Sequence, residues 1–108
     1  MTFIRSTSKS YRWPVTVEEP VDGGEWKEQG FTAVFKRLGR SEFNKLTELG
    51  DEAVIQEILE GWDDLKEESG EAIAYTPEAV AEMSNDTYWS RGVIKAYFEF
   101  LNGGKEKN

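Results

Sequence analysis

The hydrophobic period of this chain changes at Gly39, and that change restricts the fold more than any other feature. From Tyr11 the residues alternate, with Tyr11, Trp13, Val15 and Val17 on one side and Arg12, Pro14 and Thr16 on the other. A period of two predicts a half-buried β-strand over 11–17. Pro14 has no N–H to give to a ladder, so the strand belongs at a sheet edge. Pro20-Val21-Asp22-Gly23-Gly24 reads as a turn, because Asp-Gly and Gly-Gly reach positive φ at low cost. A second strand is expected from near Trp26, clearest over 31–36, where Phe31, Ala33 and Phe35 share a face. Gly30 reads as a bulge or break in it. Two strands alone are marginal in water, so the hairpin must lie on helices or join another sheet.

After Gly39 the spacing is helical. Ser41 is a good N-cap residue, and Phe43, Leu46 and Leu49 recur every third position until Gly50. Asp51 is expected to cap a second helix carrying Val54, Ile55, Ile58, Leu59 and Trp62 on one broad stripe, with Glu52, Gln56, Glu57 and Glu60 facing water. That helix is read as ending at the large aromatic Trp62 and running into an acidic turn closed by Gly70. A short apolar segment through Tyr75 completes a rigid connector. Thr76-Pro77-Glu78 then starts a third helix: a capping hydroxyl, proline at the first helical position, and a carboxylate at the positive end of the dipole. Ser84-Asn85-Asp86 breaks it, and Asn85 or Asp86 caps a last helix over roughly 87–101. The expectation is therefore a single small α+β domain over 11–102: an N-terminal antiparallel β-hairpin followed by about four α-helices. Residues 1–10 and 103–108 are expected to be flexible tails.

Composition restricts the chemistry. At 108 residues with 38% hydrophobic and 13% aromatic content, the chain is long enough for one modest core. It contains no cysteine, which removes disulfides and thiolate sites, and no histidine, which removes the commonest general base and metal ligand. Asp63, Asp64, Glu67 and Glu68 form the densest carboxylate cluster, but they lack the alternation of a calcium loop and Lys66 intrudes. The bland reading of that cluster is a solvated turn. Gly23-Gly24 and Gly103-Gly104 are isolated pairs without a phosphate-cradling pattern. No catalytic group, cofactor or metal is expected, and no apolar run approaches the ~18 residues of a spanning helix.

The net charge of −8 is uneven: residues 1–40 carry seven Lys/Arg against five Asp/Glu, and residues 41–108 carry six against sixteen. So acidic a body repels nucleic acid and anionic membranes and favours a basic protein partner; the same acidity also serves plain solubility. The last helix is apolar on more than one side, through Trp89, Val93, Ala96 and Phe100 and then Ile94, Tyr97, Phe98 and Leu101. A helix apolar nearly all round is either central or meets a partner. Trp62, Trp89, Ile94, Tyr97, Phe98 and Leu101 are the candidate partner-binding residues, set against the competing reading that such aromatics are core.

The chain resembles the tail assembly chaperones of siphophage-type tailed bacteriophages or prophages. The resemblance lies in the order of several segments. These are Trp13-Pro14-Val15-Thr16-Val17, Phe31-Thr32-Ala33-Val34-Phe35-Lys36-Arg37-Leu38, Ile58-Leu59-Glu60-Gly61-Trp62-Asp63-Asp64-Leu65-Lys66, Tyr75-Thr76-Pro77-Glu78 and the arginine-containing last helix. It implies a non-enzymatic protein of the host bacterial cytoplasm, absent from the mature virion. Its partners would be the long helical tape measure protein, kept soluble, and tail tube protein, recruited to it; self-association stays open. The family often makes a longer product by frameshifting, and Gly104-Lys105 is compatible with a slippery GGA-AAR codon pair. The rival readings are a virion structural component, such as a head–tail joining or tail terminator protein, and an acidic inhibitor of a host DNA-binding enzyme.

Overall fold

The computed structural model describes residues 1–5 and 9–102. Seven elements follow in order: β1 (Ser10–Val21), β2 (Glu25–Lys36), α1 (Arg40–Thr47), α2 (Asp51–Ile58), β3 (Leu59–Asp63), α3 (Pro77–Ser84) and α4 (Thr87–Leu101). The architecture is α+β in one small domain, with the expected N-terminal hairpin and four helices. The strands form an antiparallel sheet ordered β1-β2-β3, which places Pro14 on an edge strand as its missing N–H requires. Gly23 and Gly24 turn the hairpin with φ of 91° and 79°. Beyond the turn the register is unbroken from Val21↔Glu25 to Ser10↔Lys36, so Gly30 is neither bulge nor break. It pairs with Thr16, and a Cβ there would lie 3.2 Å from the Val15 carbonyl oxygen.

The third strand corrects the sequence reading. Leu59 and Trp62 belong to β3 and not to a continued second helix. Their partners are Phe35 and Ala33, both on the buried face of β2. In a regular strand, residues three apart point to opposite faces. Here Val34 pairs with Gly61 and Phe35 with Leu59, leaving Glu60 as an extra residue. This bulge returns Leu59 and Trp62 to one face. Two caps also differ. Gly39 and Gly50 occupy the N-cap positions of α1 and α2 without side-chain bonds, and Ser41 and Asp51 sit inside the first turns. The later caps are as expected: Thr76 accepts from Ala79 N–H at 2.9 Å, and Asp86 accepts from Tyr88 and Trp89 N–H. Within the stretch 1–10 expected to be a tail, Lys9 C=O accepts from Arg37 N–H and Ser10 opens β1. The tail expected over 103–108, with Gly104-Lys105, lies outside the described residues.

The core lies between one sheet face and the helices. Val15, Val17, Phe31, Ala33 and Phe35 meet Val54, Ile55 and Ile58 of α2, Val80 of α3, and Trp89, Val93, Ala96 and Tyr97 of α4. Tyr97 is fully buried and its hydroxyl does two jobs, donating to Lys36 C=O at 2.7 Å and accepting from Leu38 N–H at 3.1 Å. It thereby ties the end of β2 to the last helix. Burial holds its phenol above the usual tyrosine range. Across the domain, α4 closes onto β1 at Gly92, where an added Cβ would come within 2.6 Å of the Thr16 carbonyl oxygen. Because β3 covers β2 only over residues 32–35, the far part of the hairpin projects as an arm. The molecule measures 51 × 35 × 28 Å. No helix among the described residues is long and apolar enough to cross a membrane.

Candidate functional site

The six candidate residues divide into two groups. Trp62, Trp89 and Tyr97 are core residues at 9%, 4% and 0% exposure, so they do not line an open groove. Trp62 donates its indole N–H to Ile73 C=O at 2.7 Å and meets Tyr75 and Trp89 edge-on. Trp89 stacks on Phe31 at 5.8 Å. The physical reason is that α4 is flanked by its own protein on several sides. It packs on β1, α2 and α3, so most of its excess apolar surface is used internally.

Ile94, Phe98 and Leu101 remain on the outward side of α4. Phe98 is 45% and Leu101 37% exposed, and Ile94 is half-buried. Phe98 is steadied by an edge-on contact with Phe43 at 5.4 Å. Ile94 and Phe98 form the apolar floor of a depression of about 480 Å³, whose rim includes Asp51, Arg91, Lys95 and Asn102. A second, larger cleft of about 760 Å³ lies on the other side of the same helix, against the outer face of the hairpin arm. One wall carries Thr16, Glu18, Trp26, Lys27 and Glu28; the other carries Tyr88, Arg91, Lys95 and Glu99. Trp26 is 60% exposed and meets Tyr88 edge-on at 6.0 Å, while the Arg91 guanidinium sits 5.4 Å from the Tyr88 ring centroid.

The sequence reading missed this cleft. Trp26 lies in a polar stretch and Glu18 and Glu28 look like ordinary solvated charges until the register places them opposite each other. Arg91 and Lys95 carried a usable signal. They are four residues apart on one helix, hence on the same side, and they are the only Lys/Arg between Lys66 and Lys105.

The acidic turn is a compact loop springing from β3. Asp64 adopts φ of 65°, Lys66 bridges to Ala72, and Gly70 closes the turn at φ of 96°. Tyr75 reaches back to donate to Leu59 C=O at 2.7 Å, and its phenol is raised by burial and then by the nearby Glu60 charge. Asp63 forms an ion pair with Arg12 across the sheet, and Ser10 hydroxyl donates to the Glu60 carboxylate. On the same sheet, Lys36 Nζ donates to Glu57 at 2.6 Å; that hydrogen bond, then the carboxylate charge, holds the ammonium above its usual range. Among the described residues no group of three or more carboxylates is placed to hold a metal ion. The described surface sets an exposed apolar stripe on a helix beside a charged cleft. Comparison of the chain with known protein families, with curated proteins and with solved structures finds no match.

Proposed function

We propose that this protein is a non-enzymatic phage tail assembly chaperone that binds the tape measure protein and helps recruit tail tube subunits in the host cytoplasm. The observation that carries the reading is the outward stripe of α4, where Phe98 and Leu101 stay partly exposed beside Ile94. Such a stripe suits the apolar face of an amphipathic helix, which binds by placing anchors at helical spacing into a groove. A long helical partner offers that face many times, so modest affinity per copy suffices when many copies engage one rod. The order of segments that resembles the tail chaperones supplies the identity of the partner.

Co-expression with the long helical protein encoded just downstream tests the reading. The partner is expected to stay soluble and to co-purify only when this chain is present, and Phe98→Ser should abolish the co-purification while leaving the fold intact. An insoluble, unbound partner, with this chain found inside purified particles, would replace the chaperone reading with that of a virion component.

A further inference from the structure

The cleft between the hairpin arm and α4 is lined by charges of both signs that the protein leaves unpaired. The ion pairs among the described residues are Arg12–Asp63 and Lys36–Glu57, and neither uses a cleft residue. On the hairpin wall Glu18 stands directly opposite Glu28 in the register, a like-charge cross-strand pair that costs stability where it stands. On the facing wall Arg91 and Lys95 are both exposed, one helical turn apart, with Glu99 a turn beyond them; Lys27 of the hairpin wall belongs to the other strand face from Glu28 and stands opposite Glu19 in the register. Trp26 and Tyr88, in edge-on contact, give the cleft an aromatic patch.

A β-strand cannot be added along β1 here, because α4 presses on the Thr16 carbonyl at Gly92. The occupant must therefore be read by side chains. We infer that this cleft docks a single helix of a protein partner whose two flanks carry opposite charges. Its acidic flank lies along Arg91 and Lys95, its basic flank along Glu18 and Glu28, and its apolar stripe lies on Trp26 and Tyr88. The helical form of the partner rests on the chaperone reading above; the pattern of charge rests on the cleft alone. Complementary charges of this kind set register and partner choice more than they set raw affinity.

The protein's net charge of −8 makes a competing prediction, since charge alone would rank the most basic ligand first. Three designed helical peptides with one shared apolar stripe separate the two: one with a Glu flank and a Lys flank, one with Lys on both flanks, and one with Glu on both. Titrated against the intact protein at physiological salt, the mixed peptide is expected to bind roughly tenfold tighter than either other, the sum of two modest ion pairs. The double variant Arg91→Glu/Lys95→Glu should turn the preference to the all-Lys peptide. Glu18→Lys/Glu28→Lys should turn it to the all-Glu peptide. Both pairs are exposed, so circular dichroism and melting should confirm an unchanged fold. Tightest binding of the all-Lys peptide by the unaltered protein, or a ranking that neither reversal moves, overturns the inference. Failure of co-purification with a correct peptide ranking removes the chaperone reading and leaves the cleft assignment standing.

Discussion

Gly92→Ala sets two effects of opposite sign against each other at one atom. In an exposed helix interior, alanine is favoured over glycine by about 1 kcal/mol, so the change would ordinarily stabilise. At this position the new methyl would lie 2.6 Å from the Thr16 carbonyl oxygen, 3.2 Å from Val17 Cγ2 and 3.3 Å from Val17 Cα. Two of those three atoms are β1 backbone, held by the ladder to β2, and cannot move as a side chain does. Overpacking costs about 1–3 kcal/mol, and contact with fixed backbone belongs at the upper end of that range. The net expectation is a loss of about 2 kcal/mol, which for a domain of this size lowers the melting temperature by roughly 8–16 °C. Gly61→Ala is the internal control: its methyl would meet only the Val34 side chain, at 3.6 Å, so it should be neutral or slightly stabilising. Thermal unfolding by circular dichroism, with urea titration of the same samples, measures both. A Gly92→Ala protein that melts at or above the parent would refute the close packing of α4 on β1.

Other outcomes follow from the same geometry. Tyr97→Phe strands the buried Lys36 C=O and Leu38 N–H and should cost about 2–3 kcal/mol by urea titration. Tyr97 and Tyr75 are both raised by burial. An unfolded phenol ionises near pH ~10, so the stability linked to these groups is complete below that pH and is lost as pH rises through the higher folded values. Alkaline unfolding followed by tyrosinate absorbance should therefore be cooperative with loss of helix, and Tyr97→Phe should flatten it. Asp86→Ala removes the acceptor for two N–H groups at the start of α4 and should cost about 1 kcal/mol, with Asp86→Ser restoring most of it.

The parts of the fold that could be read in advance are those whose signal is local. Alternation over 11–17 and 31–36, the Asp-Gly-Gly turn and the caps at Thr76 and Asp86 each depend on neighbours within a few residues. The end of α2 does not. Ile55, Ile58, Leu59 and Trp62 have helical spacing, but Leu59 and Trp62 reach one face through a bulge at Glu60, and a bulge in a strand imitates the three-residue step of a helix. The hydrogen bonds that make those residues a strand come from β2, far away in sequence. Gly61, poor in a helix and tolerated next to a bulge, was the local hint. The candidate site failed in part for a related reason. Spacing showed that α4 is apolar on several sides, but only packing decides that Trp89 and Tyr97 face inward while Phe98 faces out. The charged cleft joins residues from both halves of the chain, and no window of sequence contains both walls.

The contact of Gly92 with Thr16 has a consequence for synthesis on the ribosome. The first strand can pair with the second as soon as both have emerged, but its aromatic face and the carbonyls on its free side wait for the last helix. Until α4 has been made, the nascent hairpin offers Tyr11, Trp13, Val15 and Val17 to any passing strand or sheet. Contacts this distant in sequence also slow folding, since the loop between them must close before the packing repays it. The arm is then best protected during that interval by its own charges. Glu18 and Glu28, which oppose each other and weaken the finished hairpin by repulsion, act with Glu19 and Glu25 to keep neighbouring nascent chains apart while the closing helix is still unmade.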